Sequence, residues 1–211
     1  TIGSGRIIYQ SLPLIQNQIE TGEFFQNSAF ARALAHVKRN RSRLHFIGLC
    51  SSGGIHSHIQ HLYALLDLAE REGVSEIYIH AFLDGRDTPH NAALKEISEL
   101  RDRLKKMGNA KIATLAGRFW AMDRDNHWER IEKAYNAMVQ PRTEEKDPVA
   151  LIEESYRQGV FDEEFVPVAV PKKGICERTM RAYFLIFVRI ALVNLQRPLF
   201  CHRLQSFLGN T

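Results

Sequence analysis

The sequence predicts an α/β domain with a mostly parallel sheet flanked by helices. Between positions 44 and 139, strand-like apolar runs alternate three times with segments of helical periodicity. This alternation is typical of a parallel sheet with crossover helices. Each strand-like run also ends in a turn rich in glycine and in charged or hydroxyl residues. Open α/β sheets bind their ligands at this end of the strands, so the turns are expected to form one site.

The first strand–helix pair begins with the short apolar run Leu44–Leu49, which ends in the turn SSGG. Apolar residues then recur at the three- and four-residue spacing that marks the buried face of a helix. These residues are Ile59, Leu62, Tyr63, Leu66 and Ala69. Gly73 follows them and indicates where this helix ends.

The second and third pairs repeat the pattern. Glu76–Leu83 predicts a strand that ends in the turn DGRD, and Asn91–Met107 predicts the helix after it. Lys111–Ala116 predicts a third strand, which ends in Gly-Arg, and the pattern from Asp125 to Val139 predicts a further helix.

Composition restricts the classes of function. The chain has 211 residues, 25% of them charged, and a net charge of +4, which is typical of a folded domain. It contains no apolar run near the roughly 18 residues needed to span a bilayer, so we expect no membrane partner. The positive charge alone fits nucleic acid or small anions. The basic residues are scattered among acidic ones, and we expect no nucleic-acid partner.

The cysteines indicate a reducing compartment. Cys50, Cys176 and Cys201 are odd in number and widely spaced, which fits neither a disulfide framework nor a zinc site. A cytoplasmic location is therefore expected.

Five residues at or near the strand ends are candidates for a binding site: His56, Arg86, Asp87, Arg118 and Arg124. Taken singly, each has an ordinary explanation, because a histidine near a helix start often caps the helix and the charges of a turn are often solvated. Together they match a small, hydroxylated and multiply anionic ligand. Arginine forks bind phosphate and carboxylate, aspartate accepts a bond from a hydroxyl, and histidine bonds a phosphate oxygen or transfers a proton. The glycine fingerprints of nucleotide-binding loops are absent from the sequence.

Four segments carry a resemblance to a known family. They are SGRIIYQSLPLIQNQIETGEFF, GLCSSGGIHSHIQHL, YIHAFLDGRDTP and AGRFWAMDRDNHWERIEKAYNAMV. In order and spacing, from about Ile2 to Val170, they closely resemble the transferase domain of the 2,3-bisphosphoglycerate-independent phosphoglycerate mutases. Ser52 stands where that family often has aspartate.

The resemblance implies an isomerase of glycolysis and gluconeogenesis that interconverts 3-phosphoglycerate and 2-phosphoglycerate. Such enzymes, usually monomeric, use two manganese ions and a phosphoserine intermediate on an alkaline-phosphatase-like domain, into which the transferase domain is inserted. The transferase domain holds the glycerate. Carried over by motif, the substrate-binding positions are the same five residues that the strand ends indicate.

The sequence also departs from the family. The motif of the nucleophilic serine and the metal ligands of the phosphatase domain are absent from it. We therefore expect a fragment that lacks its phosphatase domain, binds no manganese and is inactive alone. The alternative is a stand-alone module that binds phosphorylated sugar acids. His45, His80, His90, His127 and His202 match none of the metal-ligand motifs and are expected to be structural or surface residues.

The predicted organisation has three parts. Residues 1–26 resemble a linker remnant from the phosphatase domain, residues 27–170 form the substrate-binding transferase domain, and residues 171–211 are a divergent, non-native tail. Codons can be chosen for Arg178–Asn194 that, shifted by one base, read DDAGLFFNFRSDRARQ, which resembles a substrate-gripping arginine motif of the family. We therefore interpret the tail as a frameshift product, the alternative being a helix over Tyr183–Leu195.

Overall fold

A five-stranded sheet organises the computed structural model, which describes residues 11–140, 145–171 and the backbone of residues 183 and 184. The strands are β1 (Leu44–Leu49), β2 (Ile77–Leu83), β3 (Ala110–Gly117), β4 (Val168–Ala169) and β5 (Tyr183–Phe184). Their order is β4-β3-β2-β1-β5. The strand β4 is antiparallel to β3, and the other pairs are parallel. The predicted α/β class with a mostly parallel sheet is confirmed.

The helices of the described residues are α1 (Ser11–Thr21), α2 (Ser28–Asn40), α3 (Ile59–Arg71), α4 (Ala93–Met107), α5 (Arg118–Ala121), α6 (Trp128–Val139) and α7 (Pro148–Arg157), with a 3₁₀ turn at Glu23–Gln26. Of these, α3, α4 and α6 are the helices that the periodicity predicts. The helices α1, α2 and α7 and the short strands β4 and β5 were not predicted.

The helix α6 begins three residues later than its pattern suggests because Asp123 organises the preceding loop. The Asp123 carboxylate accepts hydrogen bonds from the amides of Asp125 and His127, at 3.1 and 2.9 Å. Between them Asn126 has a φ of 65°, in the left-handed region, which interrupts helical geometry. The helix therefore begins only at Trp128.

Apolar side chains pack on both faces of the sheet. In β1, Leu44 and Phe46 belong to the larger cluster, which includes residues of α2, α3, α4 and α7. Ile47 and Leu49 belong to the smaller cluster, with residues of α5 and α6. Since both faces are covered, the strands are nearly continuous apolar runs rather than alternating ones. None of the described helices is long and apolar enough to cross a membrane.

The proposed division of the chain stays a prediction. The helix α1 lies within the predicted linker, and its residues Ile15 and Ile19 pack against the larger cluster. The predicted tail lies outside the described residues, apart from Pro171 and the backbone of β5, which pairs with β1.

Candidate functional site

The turns that follow β1, β2 and β3 meet at the carboxyl ends of these strands. Asp84, the first residue after β2, joins them with its carboxylate, whose side chain is only 1% exposed. It accepts a 2.6 Å bond from the Ser51 hydroxyl, beyond β1, and a 2.6 Å bond from Nη1 of Arg118, beyond β3. It also accepts bonds from the amides of Arg86 and Asp87 in its own turn, at 3.2 and 3.0 Å. The predicted convergence of the three turns is therefore observed.

The ionisation of Asp84 follows from these bonds. Burial alone disfavours the carboxylate, but the Asp87 amide, the Ser51 hydroxyl and the Arg118 guanidinium outweigh it and hold the pKa of Asp84 below its ordinary value. Burial likewise opposes the charge of Arg118, but its bonds to Asp87 and Asp84 raise the pKa of the guanidinium. Both groups are thus charged at neutral pH.

Arg118 bridges two carboxylates through one nitrogen. Its Nη1 donates to Asp84 and also to Oδ2 of Asp87, each at 2.6 Å, and its side chain is 8% exposed. Within the described part of the chain, Nη2 and Nε of Arg118 have no hydrogen-bond partner. One edge of the guanidinium is therefore structural, and the other edge makes no hydrogen bond with the described residues.

His56 is placed beside Asp87, on the loop after β1. Its Nε2 lies 3.6 Å from Oδ2 of Asp87, too far for a hydrogen bond but within ion-pair distance when the imidazole is protonated. The capping role falls instead on His58, whose ring accepts a 3.3 Å bond from the amide of Gln60 at the start of α3.

Residues 162–165, which we call the strap, were missed by sequence reasoning. The strap lies across the ends of β2 and β3, and its carbonyls of Phe165 and Glu163 accept bonds from the amides of Gly117 and Phe119, at 2.8 and 3.0 Å. A Cβ at Gly117 would lie 2.2 Å from the Glu163 carbonyl oxygen, so glycine is required there by close approach of the strap. No apolar or turn pattern in the sequence signals these contacts.

The strap brings two acidic side chains to the site region. Glu163 accepts a hydrogen bond from Nη2 of Arg86, so the Arg86 guanidinium points to the strap rather than to Asp84 or Asp87. Asp162 is buried, accepts a 2.8 Å bond from the amide of Ala93 at the start of α4 and is bonded by the Tyr156 hydroxyl. Burial raises the pKa of Asp162 to about 6.

Arg124 is the one predicted side chain that stands apart. It is exposed and makes no hydrogen bond or ion pair with the described residues. The structure therefore gathers His56, Asp87 and Arg118 in direct contact, places Arg86 in the same turn as Asp87, and leaves Arg124 on the loop before α6.

That loop contains the described group of side chains that could hold a metal ion: Asp123, Asp125 and His127, with one ligand atom of each within 4.8 Å of the others. Asp123 is already engaged by Nδ1 of His127 at 3.0 Å and by Nη1 of Arg130 at 3.3 Å. Oδ1 of Asp123 is thus already used by an imidazole and a guanidinium, and one carboxylate cluster of this kind does not fit a pair of manganese ions.

Two of the remaining histidines lie inside the sheet. His45 and His80 are fully buried, and Nδ1 of His45 is 2.9 Å from Nε2 of His80, whose Nδ1 is 3.0 Å from the Thr114 hydroxyl. Burial lowers the pKa of His45 to about 4 and also lowers that of His80. Both are neutral structural groups of the core.

Most of this chain is similar in sequence to known proteins. The family model described as the BPG-independent PGAM N-terminus matches residues 15–187. The 2,3-bisphosphoglycerate-independent phosphoglycerate mutase of Listeria welshimeri is 49% identical over 174 residues, which cover 82% of this chain and 34% of that protein. The mutase 1 of Methanosarcina barkeri is 49% identical over 171 residues, covering 80% of this chain and 33% of that protein.

A solved structure shares the fold. The phosphoglycerate mutase of Leishmania mexicana, crystallised at low cobalt concentration, superposes with a TM-score of 0.83 at 27% identity. The match covers 92% of this chain and 38% of the Leishmania chain. The chain spans about a third of the length of the curated relatives that it matches.

Proposed function

The chain belongs to the family of BPG-independent phosphoglycerate mutase N-termini, and from this premise we propose that it is the part of such a mutase that binds 3-phosphoglycerate and 2-phosphoglycerate. The proposed site is the junction of the turns after β1, β2 and β3. The proposed activity of the longer protein is the isomerase reaction of glycolysis and gluconeogenesis, in the cytoplasm, through a phosphoserine and two manganese ions on a separate phosphatase domain.

The observation that carries this proposal is the hydrogen bonding of the Arg118 guanidinium. One nitrogen of its guanidinium is fixed between Asp84 and Asp87 at 2.6 Å, while the other edge has no partner among the described residues. A guanidinium held in this way loses little side-chain entropy when it binds, and its free edge matches two oxygens of a phosphate or carboxylate.

The surrounding groups suit the rest of a phosphoglycerate. In our proposal, Arg118 and Arg124 clamp the two anionic ends of the substrate, and Arg86 neutralises phosphate or carboxylate charge. Asp87 orients or deprotonates the hydroxyl that receives the phosphoryl group, and His56, beside it, binds phosphate or assists proton transfer.

Calorimetric titration of the full 211-residue chain with 3-phosphoglycerate tests the proposal. We expect saturable binding that is tighter than that of inorganic phosphate or glycerate, because the substrate engages both ends of the site. Arg118→Ala should weaken binding by at least about tenfold, as expected for a lost charge-assisted pair. Equal affinities for all three ligands, or binding that is insensitive to Arg118→Ala, would contradict the proposal.

An assay of mutase activity with added Mn²⁺ separates the two forms of the proposal. Binding without interconversion supports a substrate-binding part or the alternative, a stand-alone module for phosphorylated sugar acids. Interconversion by this chain alone would contradict our expectation that the phosphoserine chemistry belongs to a separate phosphatase domain. We further propose that nucleic acids and membranes are not partners, so titration with random duplex at low salt should give no binding.

A further inference from the structure

Glu163 faces Arg86 across the edge of the candidate site. Its Oε1 accepts a hydrogen bond from Nη2 of Arg86. The Arg86 side chain is 58% exposed and the Glu163 side chain only 20%. An ion pair this open to water contributes about 0–1 kcal/mol to folding, so stability does not explain why a carboxylate stands at this position.

The backbone of Glu163 is fixed, although its partner is exposed. Its carbonyl accepts a 3.0 Å bond from the Phe119 amide, and the next carbonyl, of Glu164, accepts a 2.9 Å bond from Nε1 of Trp120. Its amide nitrogen lies 2.8 Å from where a Cβ of residue 85 would stand, so the strap packs against Gly85 too closely for any side chain there. The carboxylate therefore starts from a defined place between the ends of β2 and β3.

The ion pairs at the site decide what Glu163 does to a ligand. Among the described residues they form two groups: Arg86 pairs with Glu163, and Arg118 pairs with Asp84 and Asp87, beside which His56 lies 3.6 Å away. In the first group one positive charge faces one negative charge, so Glu163 neutralises Arg86. A small anion that approaches Arg86 alone meets the Glu163 carboxylate and gains little net attraction.

We propose that Glu163 is a specificity-determining residue of the proposed phosphoglycerate site, to which this inference is tied. Glu163 neutralises Arg86 until a ligand arrives that carries two anionic groups. A phosphoglycerate offsets the loss of the Arg86–Glu163 pair with its second anionic end on Arg118, whereas inorganic phosphate has no second end. Glu163 thus selects against free phosphate.

Two variants and two ligands test this. Glu163→Gln removes the charge but keeps the shape of the side chain. Glu164→Gln is the matched control, because the Glu164 side chain is exposed and makes no hydrogen bond or ion pair with the described residues. Removing this one neighbouring charge should strengthen the binding of inorganic phosphate about three- to fivefold, since an exposed ion pair is worth no more than about 1 kcal/mol. We expect a smaller gain for 3-phosphoglycerate, so that the preference for it over phosphate falls about threefold. Glu164→Gln should change each affinity by less than about twofold.

A second measurement probes the Arg86–Glu163 ion pair in the absence of ligand. Phenylglyoxal modifies free guanidinium groups, and mass spectrometry locates the product on Arg86. In the intact chain, Glu163→Gln should speed the modification of Arg86 several-fold, and Glu164→Gln should leave the rate unchanged.

The outcomes separate this inference from the proposed function. If 3-phosphoglycerate binds the wild type but Glu163→Gln leaves the preference unchanged, the inference is wrong and the function stands. If Glu163→Gln weakens both ligands as much as Arg86→Ala does, Glu163 holds Arg86 in place and selectivity is not its role. A third outcome is that 3-phosphoglycerate binds neither the wild type nor any variant, while Glu163→Gln strengthens the binding of inorganic phosphate and speeds the modification of Arg86. In that case the proposed function fails, but the neutralisation of Arg86 by Glu163 stands. No change in any measurement overturns both.

Discussion

Replacing Gly117 by alanine tests whether the strap packs on the end of β3 as closely as the structure shows. Gly117 has φ −66° and ψ 149°, which any L-residue adopts without strain. The added Cβ would lie 2.2 Å from the Glu163 carbonyl oxygen and 2.6 Å from that of Asp162. The cost of the substitution is therefore the close approach alone.

The expected magnitude follows from the distance that the strap must move. Ordinary van der Waals contact begins at 3.4 Å, so the Glu163 carbonyl has to retreat by about 1.2 Å. That movement stretches the two hydrogen bonds that the strap carbonyls accept from the amides of Gly117 and Phe119. They are now 2.8 and 3.0 Å long and would exceed hydrogen-bond length. Two lost bonds at about 1 kcal/mol each and overpacking of about 1–3 kcal/mol are offset by up to about 1 kcal/mol, since alanine restricts the unfolded chain. We expect the free energy of unfolding to fall by about 2–5 kcal/mol.

Urea denaturation and amide hydrogen exchange of the full chain measure this effect. The melting temperature should fall by about 10 °C, and the amides of residues 117 and 119 should lose protection. Gly108→Ala is the control, because Gly108 has φ 76° and nothing within 4 Å of its Cβ position. It should cost about 1–2 kcal/mol through backbone strain and leave those two amides protected. A Gly117→Ala chain as stable as the wild type, with both amides protected, would falsify the close packing of the strap.

Three further outcomes are expected. Arg118→Ala should lower the free energy of unfolding by about 3–5 kcal/mol in urea, because it leaves the buried carboxylate of Asp84 without its counter-charge; a loss under 1 kcal/mol would contradict that role. Arg124→Ala should leave stability within about 0.5 kcal/mol, since its exposed guanidinium makes no hydrogen bond or ion pair with the described residues. It should weaken the binding of 3-phosphoglycerate at least about tenfold by calorimetry, and unchanged affinity would remove Arg124 from the site. Asp162, with a pKa of about 6, holds a proton in the native state that the unfolded chain releases, so its contribution to stability should grow as the pH falls from 7 to 4. Asp162→Asn should abolish that growth in urea titrations at these pH values, and an unaltered pH profile would contradict the assignment.

The sequence predicted the strands well because each is a short apolar run with a polar turn directly after it. β1 was predicted at its observed bounds, and β2 and β3 within about one residue at each end. The helices that follow them were predicted because their buried faces are long. By contrast, α7 buries only Pro148 and Ile152, and the sequence gives no comparable periodic signal for it.

The site was predicted in part, and the missing part is tertiary. His56, Asp87 and Arg118 lie in the loops that follow three neighbouring strands, so the topology of a parallel sheet brings them together. The partner of Arg86 could not be found in this way, since Glu163 lies 77 positions further along the chain. It is placed only by how the strap packs on two strand ends.

The role of Asp84 was also not predictable from the sequence. It precedes the predicted Arg86 and Asp87 in the same DGRD turn, but nothing in the pattern says that its side chain points inward while theirs reach outward. The distinction comes from burial, because the Asp84 side chain is 1% exposed, Asp87 14% and Arg86 58%.

This inward carboxylate is the reason that three separate turns form one site. Ser51, Arg118 and the DGRD amides all donate to Asp84, so the turns after β1, β2 and β3 share one acceptor. Because Asp84 is buried and ionised, separating any turn leaves part of a buried charge unsatisfied, at a cost of several kcal/mol. The turns therefore hold their geometry before a ligand binds, which reduces the entropy lost on binding. The two arginines outside this junction, Arg86 in its exposed ion pair and Arg124 on the surface, can adjust to the ligand. Substitutions there should change selectivity without the loss of stability that Arg118→Ala causes.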